Sequence, residues 1–243
     1  MQIEKRAHCR INGFQLKLIA VITMLIDHIG AVLLEEQVDL ISGNGSVITI
    51  LYYICRMIGR LSFPIFCFLL TEGFFHSKNR YRYIGRMVVF AVISLWPFYM
   101  AFACYGNVLI TFTIGLIAMT LAEVVKQRVT DNGKGRWIAS ILICIIAGIG
   151  YLLAEIFRSD YGGVGVLVIL LLYFFHTHPI LSYVIAVVCL GTFLDSMIYI
   201  AMAGIPFLIM YNGERGRQIK HFFYLFYPVH LVLLVIIKWM LFS

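Results

Sequence analysis

Apolar runs long enough to cross a lipid bilayer follow one another along almost the whole chain, separated only by short loops. A helix needs about 20 predominantly apolar residues to span the hydrocarbon core. The chain therefore reads as all-α, a polytopic integral membrane helical bundle forming one transmembrane domain over 1–243. Only 13% of its residues are charged and 62% are hydrophobic, against about 25% charged in a soluble domain. No stretch between the runs has room for a soluble domain, so any chemistry must occur in or beside the membrane.

The net charge of +7 does not point to a nucleic-acid partner, because the basic residues sit in short loops between apolar runs, where they set topology. About nine transmembrane helices fit, at 16–34, 47–75, 83–104, 107–126, 137–154, 161–175, 180–195, 197–211 and 221–241. Basic residues fall at 5–17 (Lys5, Arg6, Arg10, Lys17), at 78–86 (Lys78, Arg80, Arg82, Arg86), at 126–136 (Lys126, Arg128, Lys134, Arg136) and at 215–220 (Arg215, Arg217, Lys220). Acidic residues dominate at 35–39 (Glu35, Glu36, Asp39). Every second loop is thus basic, with His176 and His178 in the remaining one, and an N-inside, C-outside arrangement satisfies them all. The first apolar run is too long for a signal-peptide core, contains Asp27 and His28, and lacks a small-residue cleavage site, so it reads as a retained span. The second is longer than a perpendicular helix requires, and Pro64 predicts a kink there by freeing the carbonyl of Arg60.

Six cysteines (Cys9, Cys55, Cys67, Cys104, Cys144, Cys189) form no CxxC pair and lie mostly in apolar runs. They read as small hydrophobes, with neither a disulfide framework nor a metal site indicated. His8, His76, His176, His178 and His221 fall in loops or at span ends, where solvation or interfacial placement is expected.

Asp27, His28, Arg56, Arg60 and Glu72 all lie inside the first two spans. Each costs roughly 2.5–3.5 kcal/mol at mid-bilayer, which marks a functional site unless the groups only neutralise one another across helices. Lys17 and His28 are eleven residues apart, returning to within about 20° of the same helical face and about 16 Å along it. Arg56 and Arg60, four apart, share a face, with Arg56 about 14 Å in from the outer end of its span, near the depth of His28. Asp27 points about 100° away from His28 and is expected to pair with a basic group on another span. His230 lies about 14 Å from the inner end of the last span, a second imidazole at the same depth. An imidazole can take a proton from a hydroxyl or amine attacking a carbonyl, and guanidiniums in a low-dielectric site can stabilise an oxyanion or hold phosphates.

The segments Leu16-Lys-Leu-Ile-Ala-Val-Ile-Thr-Met-Leu-Ile-Asp-His-Ile-Gly30, Arg56-Met-Ile-Gly-Arg-Leu-Ser-Phe-Pro-Ile-Phe66, Thr71-Glu-Gly-Phe74, Asn107-Val108 and Tyr161-Gly162 resemble, in that order, the TraX family, named for an enzyme that acetylates the N-terminus of conjugative pilin. The Lys17-to-His28 spacing is also similar to the first span of the acyltransferase-3 superfamily, whose paired arginines Arg56 and Arg60 match one residue further apart. The resemblance implies a membrane acyltransferase carrying an acetyl group from cytoplasmic acetyl-CoA to a membrane peptide, lipid or glycan, in the inner or cytoplasmic membrane of a prokaryote. It implies His28 as base, with Asp27 and Glu72 among the catalytic residues, Arg56 or Arg60 positioning the thioester, and Lys17, Arg60, Arg82 and Arg86 receiving the CoA phosphates. Asn107, Tyr161 and His230 would meet substrate. The third span departs from the pattern, because Leu95-Trp96-Pro97-Phe98-Tyr99 carries no acidic or amide group, and this leaves the acceptor open. Two other classes stay open: a proton-coupled transporter using Asp27, His28 and Glu72 as a relay, and an assembly factor whose charges only pair helices.

Overall fold

Asn12 opens the first helix with a capping box, accepting from the Gln15 amide at 3.1 Å while its own N–H reaches the Gln15 side chain at 2.9 Å. Ser46 and Asn79 cap two later helices from one side only, accepting from the Thr49 and Arg82 N–H groups. The computed structural model describes residues 10–40, 46–129, 133–217 and 222–242, apart from the side chains at 39, 40, 133 and 134. Lys5, Arg6, His8, Cys9, Lys220, His221 and the side chains of Asp39 and Lys134 lie outside the described residues.

The order is α1 (Gly13–Ile29), a π-helical turn (Gly30–Leu34), α2 (Glu35–Leu40), α3 (Val47–Gly59), α4 (Ser62–Phe75), α5 (Arg80–Ile93) and α6 (Leu95–Phe102). There follow α7 (Val108–Val129), α8 (Gly133–Ile156), α9 (Gly162–Phe174), α10 (Pro179–Phe193), a 3-10 helix (Ser196–Gly204), α11 (Ile205–Met210) and α12 (Phe222–Phe242). The described residues contain no strand, only one parallel bridge between Ile11 and Tyr211. That bridge, with Gly13 N–H donating to the Glu214 carbonyl at 2.7 Å, ties the entry of α1 to the loop after α11.

The protein is an all-helical membrane protein. Each of the nine expected spans falls on a helical stretch, but they are unequal. Five, Gly13–Val38, Val47–Phe75, Val108–Val129, Gly135–Ile156 and Phe222–Phe242, are long and apolar enough to cross a bilayer unaided. The pair Arg80–Ile93 and Leu95–Phe102, bent by 44°, makes a sixth if it counts as one crossing. Gly162–Phe174, Pro179–Phe193 and Ser196–Met210 are shorter; thirteen residues rise only about 20 Å against a core of about 30 Å. The second span is interrupted near the expected place: a turn at Arg60–Leu61 separates α3 from α4, and Pro64 is the third residue of α4, where a helix leaves its N–H unpaired anyway.

Leu16, Ala20, Ile65, Leu116, Met119 and Ile169 are fully enclosed where α1, α4, α7 and α9 meet. On α8, by contrast, Trp137, Ile141, Ile145 and Leu152 face outward, an apolar surface suited to lipid rather than water. α1 packs against α3, α4 and α12, and α12 also lies against α6. These contacts bring distant polar residues together.

Candidate functional site

Asp27 and His28 end α1 on different faces, and each finds a different helix. Asp27 turns to α3 and binds the Arg56 guanidinium at 2.8 Å, so its partner is a basic group on another span, as expected. The approach is close because Gly30 and Gly59 carry no side chain. A Cβ on Gly59 would land on the Asp27 carboxyl, and one on Gly30 would meet the Cys55 Cβ at 2.7 Å. His28 turns to α12, where its Nδ1 lies 2.7 Å from Nε2 of His230. The Nδ1 of His230 lies 2.7 Å from the Phe226 carbonyl, and its ring stacks on the Phe226 ring with centroids 4.8 Å apart. Phe102 and Tyr227 meet His28 edge-on, and both imidazoles are buried. His28 thus takes its orientation from His230, whose position in the last span marked it only as a second imidazole at that depth.

Arg60, one turn beyond Arg56, binds Asp195 at 2.5 Å. Its Nε–H is buried without an acceptor among the described residues, a state that costs about 1–3 kcal/mol unless a further acceptor is supplied. Asp195 escaped the sequence reading, although it is the only acidic residue between Asp160 and Glu214. Arg60 therefore stands in the layer of Arg56, paired with an acidic side chain as Arg56 is.

The loops before α7 and α9 close this layer. The Asp160 N–H donates to the Gly106 carbonyl at 2.7 Å, and Thr111 donates to Ser159 at 3.1 Å and to the Asp160 carbonyl. Tyr161 adopts a left-handed backbone (φ 65°), and its ring lies flat on Phe63 with centroids 3.5 Å apart. Such backbone strain persists only where surrounding contacts hold it. Crowding withdraws the Asp160 carboxyl from water and pushes its pKa up to about 6, with the Asp27 charge adding to the push. Asn107 is committed to structure: its amide N–H donates to the Ala91 carbonyl of α5 at 2.9 Å, and its amide oxygen accepts from the Leu109 N–H at 3.0 Å. Both ends of its side chain hold the entry to α7.

A second polar layer lies at the other end of α1 and α4. Lys17 sits over the Phe223 ring at 5.0 Å and pairs with no acidic side chain among the described residues. Glu72 accepts from the Tyr211 hydroxyl at 3.1 Å, about 18 Å along the helical rise from Arg60. Glu72 therefore stands with this layer and apart from the imidazoles. Arg215 donates to the His76 carbonyl beside it, Arg86 lies over Tyr83 at 5.8 Å, and Arg82 is exposed at the start of α5. His176 packs on Phe75 with centroids 4.1 Å apart. Among the described residues no three His, Cys, Asp or Glu side chains cluster as a metal site would need.

Two layers result. The deep one offers an imidazole able to take a proton and guanidinium N–H groups able to stabilise a nearby anion. The other offers cations suited to phosphates. The family model described as TraX protein matches residues 12–238. The chain is 30% identical over 257 aligned residues, 92% of its own length and 94% of the relative's, to the probable fimbrial assembly protein FimC, serogroup H1, of Dichelobacter nodosus. No solved structure matches.

Proposed function

The chain belongs to the TraX family, and from that premise we propose that it is a membrane-embedded acetyltransferase using acetyl-CoA as donor. His28 takes the proton from an acceptor hydroxyl or amine as that group attacks the thioester carbonyl. The carbon–sulfur bond then breaks, and the proton passes to the departing thiolate. Arg60, through its unpartnered Nε–H, and Arg56 meet the developing oxyanion. Lys17, Arg82 and Arg86 receive the CoA phosphates at the cytoplasmic end. The roughly 16 Å from Lys17 to His28 leaves room for a pantetheine arm along α1. Tyr161 and Asp160 stand at the acceptor side.

This reading carries with it an N-inside, nine-crossing arrangement in a prokaryotic cytoplasmic membrane, with the three shorter helical stretches as crossings. The acceptor is a membrane peptide, lipid or glycan, and a pilin-type subunit fits best. The D. nodosus relative is named for fimbrial assembly, and modifying a subunit is one way to serve it. The observation that carries the proposal is the buried His28–His230 pair in the same layer as the orphaned Arg60 Nε–H.

The test is thiol release from acetyl-CoA by the protein in nanodiscs, with a membrane extract as acceptor, wild type beside His28→Ala. Acceptor-dependent release that His28→Ala abolishes, with the variant still folded and monodisperse, supports the enzyme. Absence of CoA binding and turnover with every extract sinks it, and proton-coupled flux in liposomes would then favour the transporter.

A further inference from the structure

The deep layer contains a hydrogen-bond chain whose direction is set by its last member. A carbonyl oxygen only accepts, so the contact between His230 Nδ1 and the Phe226 carbonyl at 2.7 Å requires the proton to be on Nδ1. No carboxylate among the described residues bonds either ring, and a lone charge buried there would be costly, so the resting pair is neutral. Neutral His230 then presents a bare Nε2, and His28 Nδ1, 2.7 Å away, must be the donor. His28 is left with its lone pair on Nε2.

The ring geometry agrees. The two imidazole planes differ by 5°, and their centroids are 5.0 Å apart. That separation exceeds the N···N distance by about two ring radii, so the rings meet edge to edge in nearly one plane, the approach an in-plane nitrogen lone pair needs. Face-to-face stacking would not bring the two nitrogens so close.

We propose that His230 is the positioning residue of the base: it holds His28 in the tautomer with Nε2 bare and receives the Nδ1 proton as Nε2 is protonated. This rests on the acetyltransferase reading. When the acceptor's proton reaches His28 Nε2, the proton on Nδ1 crosses to His230 Nε2. The positive charge then sits on a ring still bonded to the Phe226 carbonyl and stacked on the Phe226 ring, which favours a cation. When the thiolate leaves, it takes the proton from His28 Nε2, and Nδ1 recovers its own from His230. Protons balance over the cycle, and no carboxylate is needed behind the base.

The test uses the full chain in nanodiscs with 15N-labelled histidine, reading tautomers and turnover separately. The wild type is expected to show His28 protonated at Nδ1, and His230→Ala to lose that preference. In turnover, His230→Ala should lower kcat ~100-fold, the scale of acid–base assistance, with KM for acetyl-CoA unchanged. His230→Gln places an amide oxygen near the position of Nε2 and should recover about tenfold of that loss, since it restores the acceptor but cannot take the proton. His28 protonated at Nε2 in the wild type, or an unchanged kcat in His230→Ala, overturns the proposal. If no acyl group moves in any of these proteins, the tautomer alone decides the assignment of His230, and the acetyltransferase reading is what fails.

Discussion

Lys17 and Arg56 are both cations on membrane helices, yet their surroundings predict different losses. Lys17 faces an aromatic ring and no acid among the described residues, which leaves its charge for a ligand. Lys17→Gln should raise the KM for acetyl-CoA about tenfold and leave kcat nearly unchanged, since a phosphate contact is equal in ground and transition states. Steady-state kinetics check this, and a fall in kcat at constant KM would move Lys17 into the chemistry. Arg56 is held by Asp27 with side-chain exposures of 22% and 16%. Removing either partner leaves a partly buried charge alone, so Arg56→Ala and Asp27→Ala should each cost about 2 kcal/mol. The double variant should cost less than their sum by about 1 kcal/mol, read from unfolding in a denaturing detergent. Additive losses would mean that the pair does not hold α1 to α3. The sequence showed that Asp27 needs a partner and that His28 does not share its direction, because both follow from helical rotation within a few residues. It could not name Asp195 for Arg60, because 135 residues separate them and no local period links them.

Among the helices, the contact between α1 and α3 depends on absent side chains. Gly59→Ala places a methyl on the Asp27 carboxyl, and overpacking of this kind costs about 1–3 kcal/mol. Gly59→Ala is therefore expected to lower the thermal midpoint and to reduce acetyl-CoA turnover as Arg56→Ala does. Gly85→Ala, with open space around the added methyl, is the control expected to change neither. Equal behaviour of the two variants would refute the close approach. The π-helical turn at Gly30–Leu34, which begins two residues after His28, widens the helix by one residue per turn. It alters the register between the imidazole and the acidic residues Glu35 and Glu36. No hydropathy pattern announces it, because a single inserted residue leaves an apolar run looking unchanged. The break at Arg60–Leu61 was legible, because proline has a local and specific cost.

The whole molecule poses a topological question that span length leaves open. The bent pair α5–α6 either crosses the membrane or turns back within it. Arg82 is exposed in the first turn of α5, and Tyr105, 65% exposed, follows α6. With an impermeant maleimide on vesicles of known orientation, Arg82→Cys is expected to label only from the cytoplasmic side and Tyr105→Cys only from the opposite one. Labelling of both from one side would make the pair re-entrant and remove the nine-crossing arrangement. What the sequence determined by itself was local: where apolar runs form helices, which ionisable groups they bury, and which of those share a face. Each follows from consecutive residues meeting a bilayer, where an unpaired backbone or a lone charge is expensive. Tertiary structure decided the rest: that His28 meets His230 across 202 residues, that Arg60 meets Asp195, that Glu72 joins Tyr211 and that Asn107 ties the start of α7 to α5. Lipid is as apolar as the helices it surrounds, so hydropathy favours no particular neighbour, and side-chain packing with interhelical hydrogen bonds chooses the partners.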